Sequence, residues 1–153
     1  MIITFFGHRS LYVTDELRNE IFDTIQKIIR QGEPVSFYCG GYGDFDTLCA
    51  RACLAIKKEN PLCKTFFITP YITESQQRKI KEIMNEKLYD GIIYPPLEKI
   101  PPRIAIIKRN EWMIQEADFI VAYVKHTYGG AYKALQYAQK KKKVIVNLAE
   151  GFS

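Results

Sequence analysis

Short apolar runs alternate with longer amphipathic segments along the whole chain. The runs are rich in β-branched and aromatic residues and are almost continuously apolar, which is typical of strands buried on both faces of a parallel sheet. We predict six strands from them, at residues 2–6, 35–39, 65–69, 91–94, 118–124 and 144–148.

The segments between these runs carry apolar residues at helical spacing. Leu17, Ile21 and Ile25 recur every four residues and predict a helix that Thr14 or Asp15 can cap. Further helices are predicted at about residues 45–58, 73–88, 103–116 and 131–141. Because strands and helices alternate without repeats or linkers, we predict a single α/β domain over residues 1–153. Its expected architecture is a three-layer, Rossmann-like fold with a mostly parallel, doubly wound sheet of about six strands.

Glycine and polar residues follow three of the predicted strands. These segments interrupt the apolar pattern, and we call them breaks. They are Gly7-His8-Arg9, residues 39–46 and residues 125–130. In a doubly wound sheet, ligands bind beyond the carboxyl ends of the strands, where the strand order reverses. If the first strand and the 118–124 strand are neighbours there, the three loops line one crevice. The second break also precedes a helix, and a helix start favours anions. We therefore predict a site for a phosphate-bearing small molecule.

Each loop also has a purely structural explanation. Gly40 and Gly41 either make a tight turn or let the backbone approach a ligand, and the second glycine pair, at residues 129–130, favours the ligand role. Arg9 is either a surface charge or a bidentate phosphate ligand. Asp44 and Asp46 are either helix caps or functional carboxylates. We assign Asp46 to the cap and Asp44 to the site, where it is the candidate catalytic residue.

The composition narrows the function only slightly. A net charge of +5 is compatible with an anionic ligand and does not by itself indicate nucleic acid. The four cysteines show no metal-ligand spacing, so we expect reduced thiols, no bound metal and a cytoplasmic location. No leader pattern or bilayer-length apolar run is present, so no membrane association is expected.

Two common nucleotide motifs are absent. The chain lacks the G-x-G-x-x-G fingerprint and the phosphate loop that ends in Gly-Lys-Ser/Thr, so we expect neither an ordinary NAD dehydrogenase nor an ATPase. No Ser-His-Asp or Cys-His arrangement follows from the spacing. Lys108, Arg109 and Asn110 share a charged stretch that is typical of a solvated helix face, and Trp112 is expected in the core.

Three stretches in order resemble the SLOG superfamily of Rossmann-like nucleotide binders, and in particular its small YpsA-like branch. They are TFFGHR, CGGYGDFDTLCARA, and KRNEWMIQEADFIVAY followed by YGGAYKALQYAQKKKKVIV. The resemblance implies a nucleotide or nucleotide-derived ligand, such as an ADP-ribose-like molecule or a nucleoside phosphate. It also implies a ligand pocket made by Gly7, His8, Arg9, Gly40, Gly41, Asp44, Arg109, Asn110, Gly129 and Gly130.

The chain departs from the enzymes of this superfamily. The phosphoribohydrolase branch carries Gly-Gly-x-Gly-Thr-x-x-Glu, and alignment on Gly130 places Ala131 at the Thr and Ala134 at the Glu. General acid–base help to a leaving base needs such a carboxylate. We therefore expect a binding or sensing module. Its alternatives are a nucleotide N-glycosidic-bond hydrolase, for which Asp44, Asp46 or Glu111 would have to substitute, and a single-stranded DNA binder of the DprA-like kind.

Self-association is also expected. The superfamily often forms homo-oligomers, and aromatic residues beyond the needs of a core could line such an interface. These residues are Tyr89, Tyr94, Tyr132 and Tyr137.

Overall fold

A computed structural model describes residues 1–41, 43–70, 78, 80–82, 87–97 and 100–149, without the side chains of Pro102 and Arg103. In these residues the strands are β1 (Ile2–Gly7), β2 (Val35–Cys39), β3 (Cys63–Ile68), β4 (Gly91–Ile93), β5 (Phe119–Tyr123) and β6 (Val144–Asn147). The named helices are α1 (Asp15–Ile28), α2 (Asp44–Glu59), α3 (Pro102–Glu116) and α4 (Gly130–Lys140). The predicted alternation of strands and helices is therefore confirmed.

The six strands form one sheet in the order β4-β3-β2-β1-β5-β6, and every described pair of neighbours is parallel. The chain winds outward from β1 to β4 and then returns to place β5 on the other side of β1. Ile3 lies opposite Phe119 in that pairing. The strand order thus reverses between β1 and β5, which is where an open α/β sheet places its ligand crevice.

Two apolar clusters cover the two faces of the sheet. One contains side chains of α1 and α2 packed on β1, β2 and β3, with Ile21 and Phe37 fully buried. The other contains side chains of α3 and α4 packed on β1 and β5, with Ile120 and Ala138 fully buried. Right-handed crossovers explain this division, because chain that moves outward from β1 places its helices on one face and chain that moves the other way uses the opposite face. The result is the predicted three-layer fold.

The structure agrees with some of the local sequence signals and not with others. Thr14 caps α1, and its hydroxyl accepts a hydrogen bond from the Leu17 amide at 3.1 Å. Residues 78 and 80–82 are helical, and the rest of the helix predicted over 73–88 falls largely outside the described residues. The prediction that Tyr89 lies on an oligomer face is wrong, because this side chain is 7% exposed and packs against Phe67 in the core.

All four cysteines are buried and free. Burial raises the pKa of the thiols of Cys49, Cys53 and Cys63 above the ordinary value, and nearby Asp46 raises that of Cys49 further. These three thiols therefore stay protonated at neutral pH. Among the helices that the structure describes, none is both long and apolar enough to cross a membrane.

Candidate functional site

A cavity of about 250 Å³ opens at the carboxyl ends of β1 and β5. The three loops that the sequence singles out all contribute to its lining, and α3 closes one side. Most of the predicted pocket residues line it, namely Gly7, His8, Arg9, Gly40, Arg109, Asn110, Gly129 and Gly130. Gly41 and Asp44 are not among its lining residues.

The amino terminus of α4 reaches this cavity without a cap. The helix begins after Gly129, and within the described chain no side chain caps it and no acidic residue lies in its first turn. A side-chain carbon at Gly130 would meet no other part of the described chain within 4 Å. The first amides of a helix lack intrahelical acceptors and carry the positive end of its dipole. This helix start therefore faces open space and can accept an anion.

The start of α2 is arranged differently. Asp44 and Asp46 lie in its first turn and already supply negative charge there. The amide of Asp44 donates to the Arg9 carbonyl oxygen at 2.8 Å, and its carboxylate accepts from the Leu11 amide at 3.1 Å. Asp44 thus fixes the loop after β1, so its predicted ligand role stays a prediction. Asp46, which the sequence assigns to the cap, is 8% exposed and lines the cavity.

His8 joins two of the loops. Its Nε2 atom accepts from the backbone amides of Lys125 at 2.8 Å and His126 at 3.3 Å. An imidazole nitrogen that accepts from amides carries no proton, so these contacts require neutral His8 with its proton on Nδ1. Burial and then the neighbouring His126 lower the pKa of His8 below its ordinary value, which keeps the ring neutral.

A column of neighbouring rings, of which His126 and Tyr128 are stacked, lies beside the cavity. The His8 and His126 rings lie 4.6 Å apart, and the His126 and Tyr128 rings lie 5.1 Å apart with planes only 14° from parallel. Both His126 and Tyr128 line the cavity. Sequence reasoning missed them as individual residues, although they fall within the 125–130 break that it singled out. The sequence feature that could have indicated them is a pair of aromatic rings, two residues apart, in a loop at the end of a strand.

Arg109 is a structural part of the cavity wall. The expectation that it lies on a solvated helix face is wrong, because Arg109 is 2% exposed. One guanidinium nitrogen donates to the carbonyl oxygens of Gly40 at 2.9 Å and Ile68 at 3.2 Å, and the others donate to the side chain of Asn110. The side chain therefore fastens α3 to the ends of β2 and β3. The sequence does not reveal the burial of Arg109, because a buried arginine and an exposed one fit the same helical pattern.

Few of the described carboxylates lie at the cavity. Ala131 lines the cavity and Ala134 is buried behind it, so neither supplies an acid or a base. Glu111 forms an ion pair with Lys108 at 3.3 Å. Asp46 is the carboxylate that the described lining provides. The described residues contain no group of three or more His, Cys, Asp or Glu that could hold a metal ion.

Comparison with known proteins shows that this chain shares its fold with solved structures. No family model matches the chain, and no curated protein matches it in sequence. A structure of DNA processing protein A from Helicobacter pylori, described for its unique mode of single-stranded DNA binding, is similar with a TM-score of 0.62 and 17% identity. It is matched over 95% of this chain, which spans 63% of that protein's length. DNA processing protein A from Streptococcus pneumoniae matches with a TM-score of 0.49 and 12% identity, over 97% of this chain and 59% of that one. The Helicobacter match shows that the fold is Rossmann-like.

Proposed function

We propose that the cavity binds a nucleoside phosphate and that the protein is a binding or sensing module for it. The observation that carries this proposal is the uncapped start of α4, which faces open space in a cavity that Arg9 also lines. Helix amides and a guanidinium are the groups that proteins use most readily for phosphate. The three motif stretches that resemble the YpsA-like branch contribute residues to this cavity, which supports assignment to that branch.

A free nucleotide or an ADP-ribose-like molecule is one form of this ligand. A cavity of about 250 Å³ is at the small end of ligand sites, so it suits the phosphate and sugar better than a whole dinucleotide. A second form is a nucleotide within single-stranded DNA. The observation that favours it is the similarity of fold to the Helicobacter pylori protein that binds single-stranded DNA. The comparison thus supports the DNA form more than the free nucleotide.

Turnover of the ligand is not part of the proposal. Cleavage of an N-glycosidic bond would need a carboxylate placed against the leaving base. The described lining offers Asp46, which is nearly buried, at the start of α2 rather than α4. A test for hydrolysis is release of free base from AMP, which we expect to remain at the uncatalysed rate.

A charge at the start of α4 tests the proposal directly. Asp at position 130 fits because the site is open, and it favours the helix by a few tenths of a kcal/mol through the dipole. It also places a negative charge where the phosphate would bind. We expect Gly130→Asp to keep or slightly raise the melting temperature and to weaken AMP or oligothymidine binding by about tenfold or more. Asn19→Asp, on the exposed side of α1, is the control of equal charge.

Salt dependence distinguishes the two forms of the ligand. Single-stranded DNA that contacts several cationic groups loses affinity steeply as salt rises, whereas one phosphate group gives a shallow slope. Calorimetric titration with AMP, ADP-ribose and oligothymidine at two salt concentrations measures the affinity for each ligand and its dependence on salt. If the wild type binds none of these ligands at low salt, the proposed function is wrong.

A further inference from the structure

The ring column beside the cavity ends in an open aromatic face. It begins at Tyr123, whose ring meets His8 edge-on at 6.3 Å, and continues through His8 and His126 to Tyr128. Tyr128 is 70% exposed although one face of its ring is stacked on His126. Most of the Tyr128 side chain is therefore accessible beside the cavity, and a further planar group can stack on it.

The loop that follows this ring leaves room for a ligand. The two residues after Tyr128 are Gly129 and Gly130, and side-chain carbons at either would meet no other described part of the chain within 4 Å. The same short loop thus presents an aromatic face and, two residues later, the uncapped amides of α4. In a nucleotide the base and the phosphate are separated by one sugar. One nucleotide could therefore place its base on the Tyr128 ring and its phosphate at the amides of α4.

Exposure alone would not support a binding role, because single exposed aromatic residues are common on protein surfaces. Tyr12 shows the difference. It is 89% exposed, but it does not line the cavity and has no ring contact within the described residues. Tyr128, by contrast, lines the cavity and stacks nearly parallel on His126. A tyrosine side chain has few rotatable bonds, so little conformational entropy is lost when a base stacks on it.

We infer that Tyr128 is a stacking platform for the nucleobase of the bound nucleoside phosphate, and this inference rests on the proposed function. Stacking on a flat ring accepts any base, because every base has a π-face. The platform therefore supplies affinity without base selectivity. It works equally for a free nucleotide and for one nucleotide of a single strand.

The test compares ligands with and without a base. AMP and ribose 5-phosphate share the phosphate and the sugar, so only AMP can stack. We expect Tyr128→Ala to weaken AMP binding by about tenfold or more and to leave ribose 5-phosphate binding unchanged. Tyr128→Phe should bind AMP like the wild type, and Tyr12→Ala is the control for removal of an exposed tyrosine. The same variants measured with oligothymidine and with an abasic oligonucleotide test the platform if the ligand comes from DNA.

The outcomes separate the two proposals. Binding of AMP or oligothymidine that is unchanged in Tyr128→Ala overturns the platform and leaves the phosphate site standing. Equal weakening of the ligands with and without a base also overturns it, since the substitution would then act through the loop. If the wild type binds none of the ligands, the phosphate site itself fails and the platform fails with it.

Discussion

The Nε2 atom of His8 accepts a hydrogen bond from the backbone amide of Lys125 at 2.8 Å, and it thereby joins the loop after β1 to the loop after β5. The two residues are 117 positions apart in the chain. The contact is made at the start of the loop that leads into α4, where the proposed phosphate site lies. A protonated His8 could donate but could not accept these bonds.

This contact predicts a dependence of stability on pH. The pKa of His8 is lowered in the folded protein, so the unfolded chain takes up a proton first as the pH falls. The stabilisation is fully present above the unfolded pKa of about 6.5 and is lost as the pH falls through the lower folded pKa. We expect the free energy of unfolding, measured with urea, to fall over this range more in the wild type than in His8→Gln. Glutamine can accept the same bonds without titrating, and identical pH profiles would contradict the assignment.

Arg109 should be required for folding. Its removal leaves the Gly40 and Ile68 carbonyl oxygens without a buried donor. We expect Arg109→Ala to lower the free energy of unfolding by about 3 kcal/mol, because each unsatisfied buried group costs about 1–3 kcal/mol. Arg18→Ala removes an exposed arginine paired with Asp15 and should change it by less than about 1 kcal/mol. Equal effects in urea denaturation would show that Arg109 does not organise the strand ends.

Two glycines with similar φ angles should respond differently to substitution. Gly32 has a φ of +85°, and a side-chain carbon there would meet no other described part of the chain within 4 Å, whereas Gly43 has a φ of +93° and a side-chain carbon there would lie 2.5 Å from the Arg9 Cα. Gly32→Ala carries only the backbone strain of about 1 kcal/mol. Gly43→Ala adds a steric clash with backbone and should cost about 3 kcal/mol. Thermal and urea unfolding measure both, and a smaller loss for Gly43→Ala than for Gly32→Ala would refute the packing described.

Two buried threonines form a second matched pair. The Thr4 hydroxyl donates to the Tyr38 carbonyl oxygen at 2.9 Å, whereas the Thr65 hydroxyl has no hydrogen-bond partner within the described residues. Both side chains are fully buried. We expect Thr65→Val to raise the free energy of unfolding by about 1 kcal/mol and Thr4→Val to lower it by a similar amount. The sign of each change, read from urea midpoints, is the decisive result.

The sequence predicts the fold well because burial on both faces of a parallel sheet leaves a strong pattern. The strand over residues 118–124 is almost entirely apolar, and in the structure it is β5, next to β1. The pairing of β5 with β1 brings the glycine loops that follow these strands together. The order of the remaining strands depends on which strands pair with each other in the folded sheet, which no local pattern contains.

The interior of the site is less predictable. The pattern that places Arg109 on a helix cannot tell whether its guanidinium points to water or to the Gly40 carbonyl oxygen. Similarly, Asp44 and Asp46 are equivalent as sequence, and only the orientation of α2 turns Asp44 to the Leu11 amide and Asp46 to the cavity. The orientations of these three side chains are set by tertiary packing between segments that are far apart in the sequence.

The strand order also sets the sequence of events during synthesis on a ribosome. The first four strands and α1 and α2 can pair as soon as they emerge, because β1, β2, β3 and β4 are neighbours in the order in which they are made. The pairing of β1 with β5 must close a loop of more than a hundred residues, as the 116-residue separation of Ile2 and Asp118 illustrates. Such long-range pairings form late. We therefore expect the nascent chain to carry one open flank of β1 until β5 arrives, and the cavity to be completed late in folding.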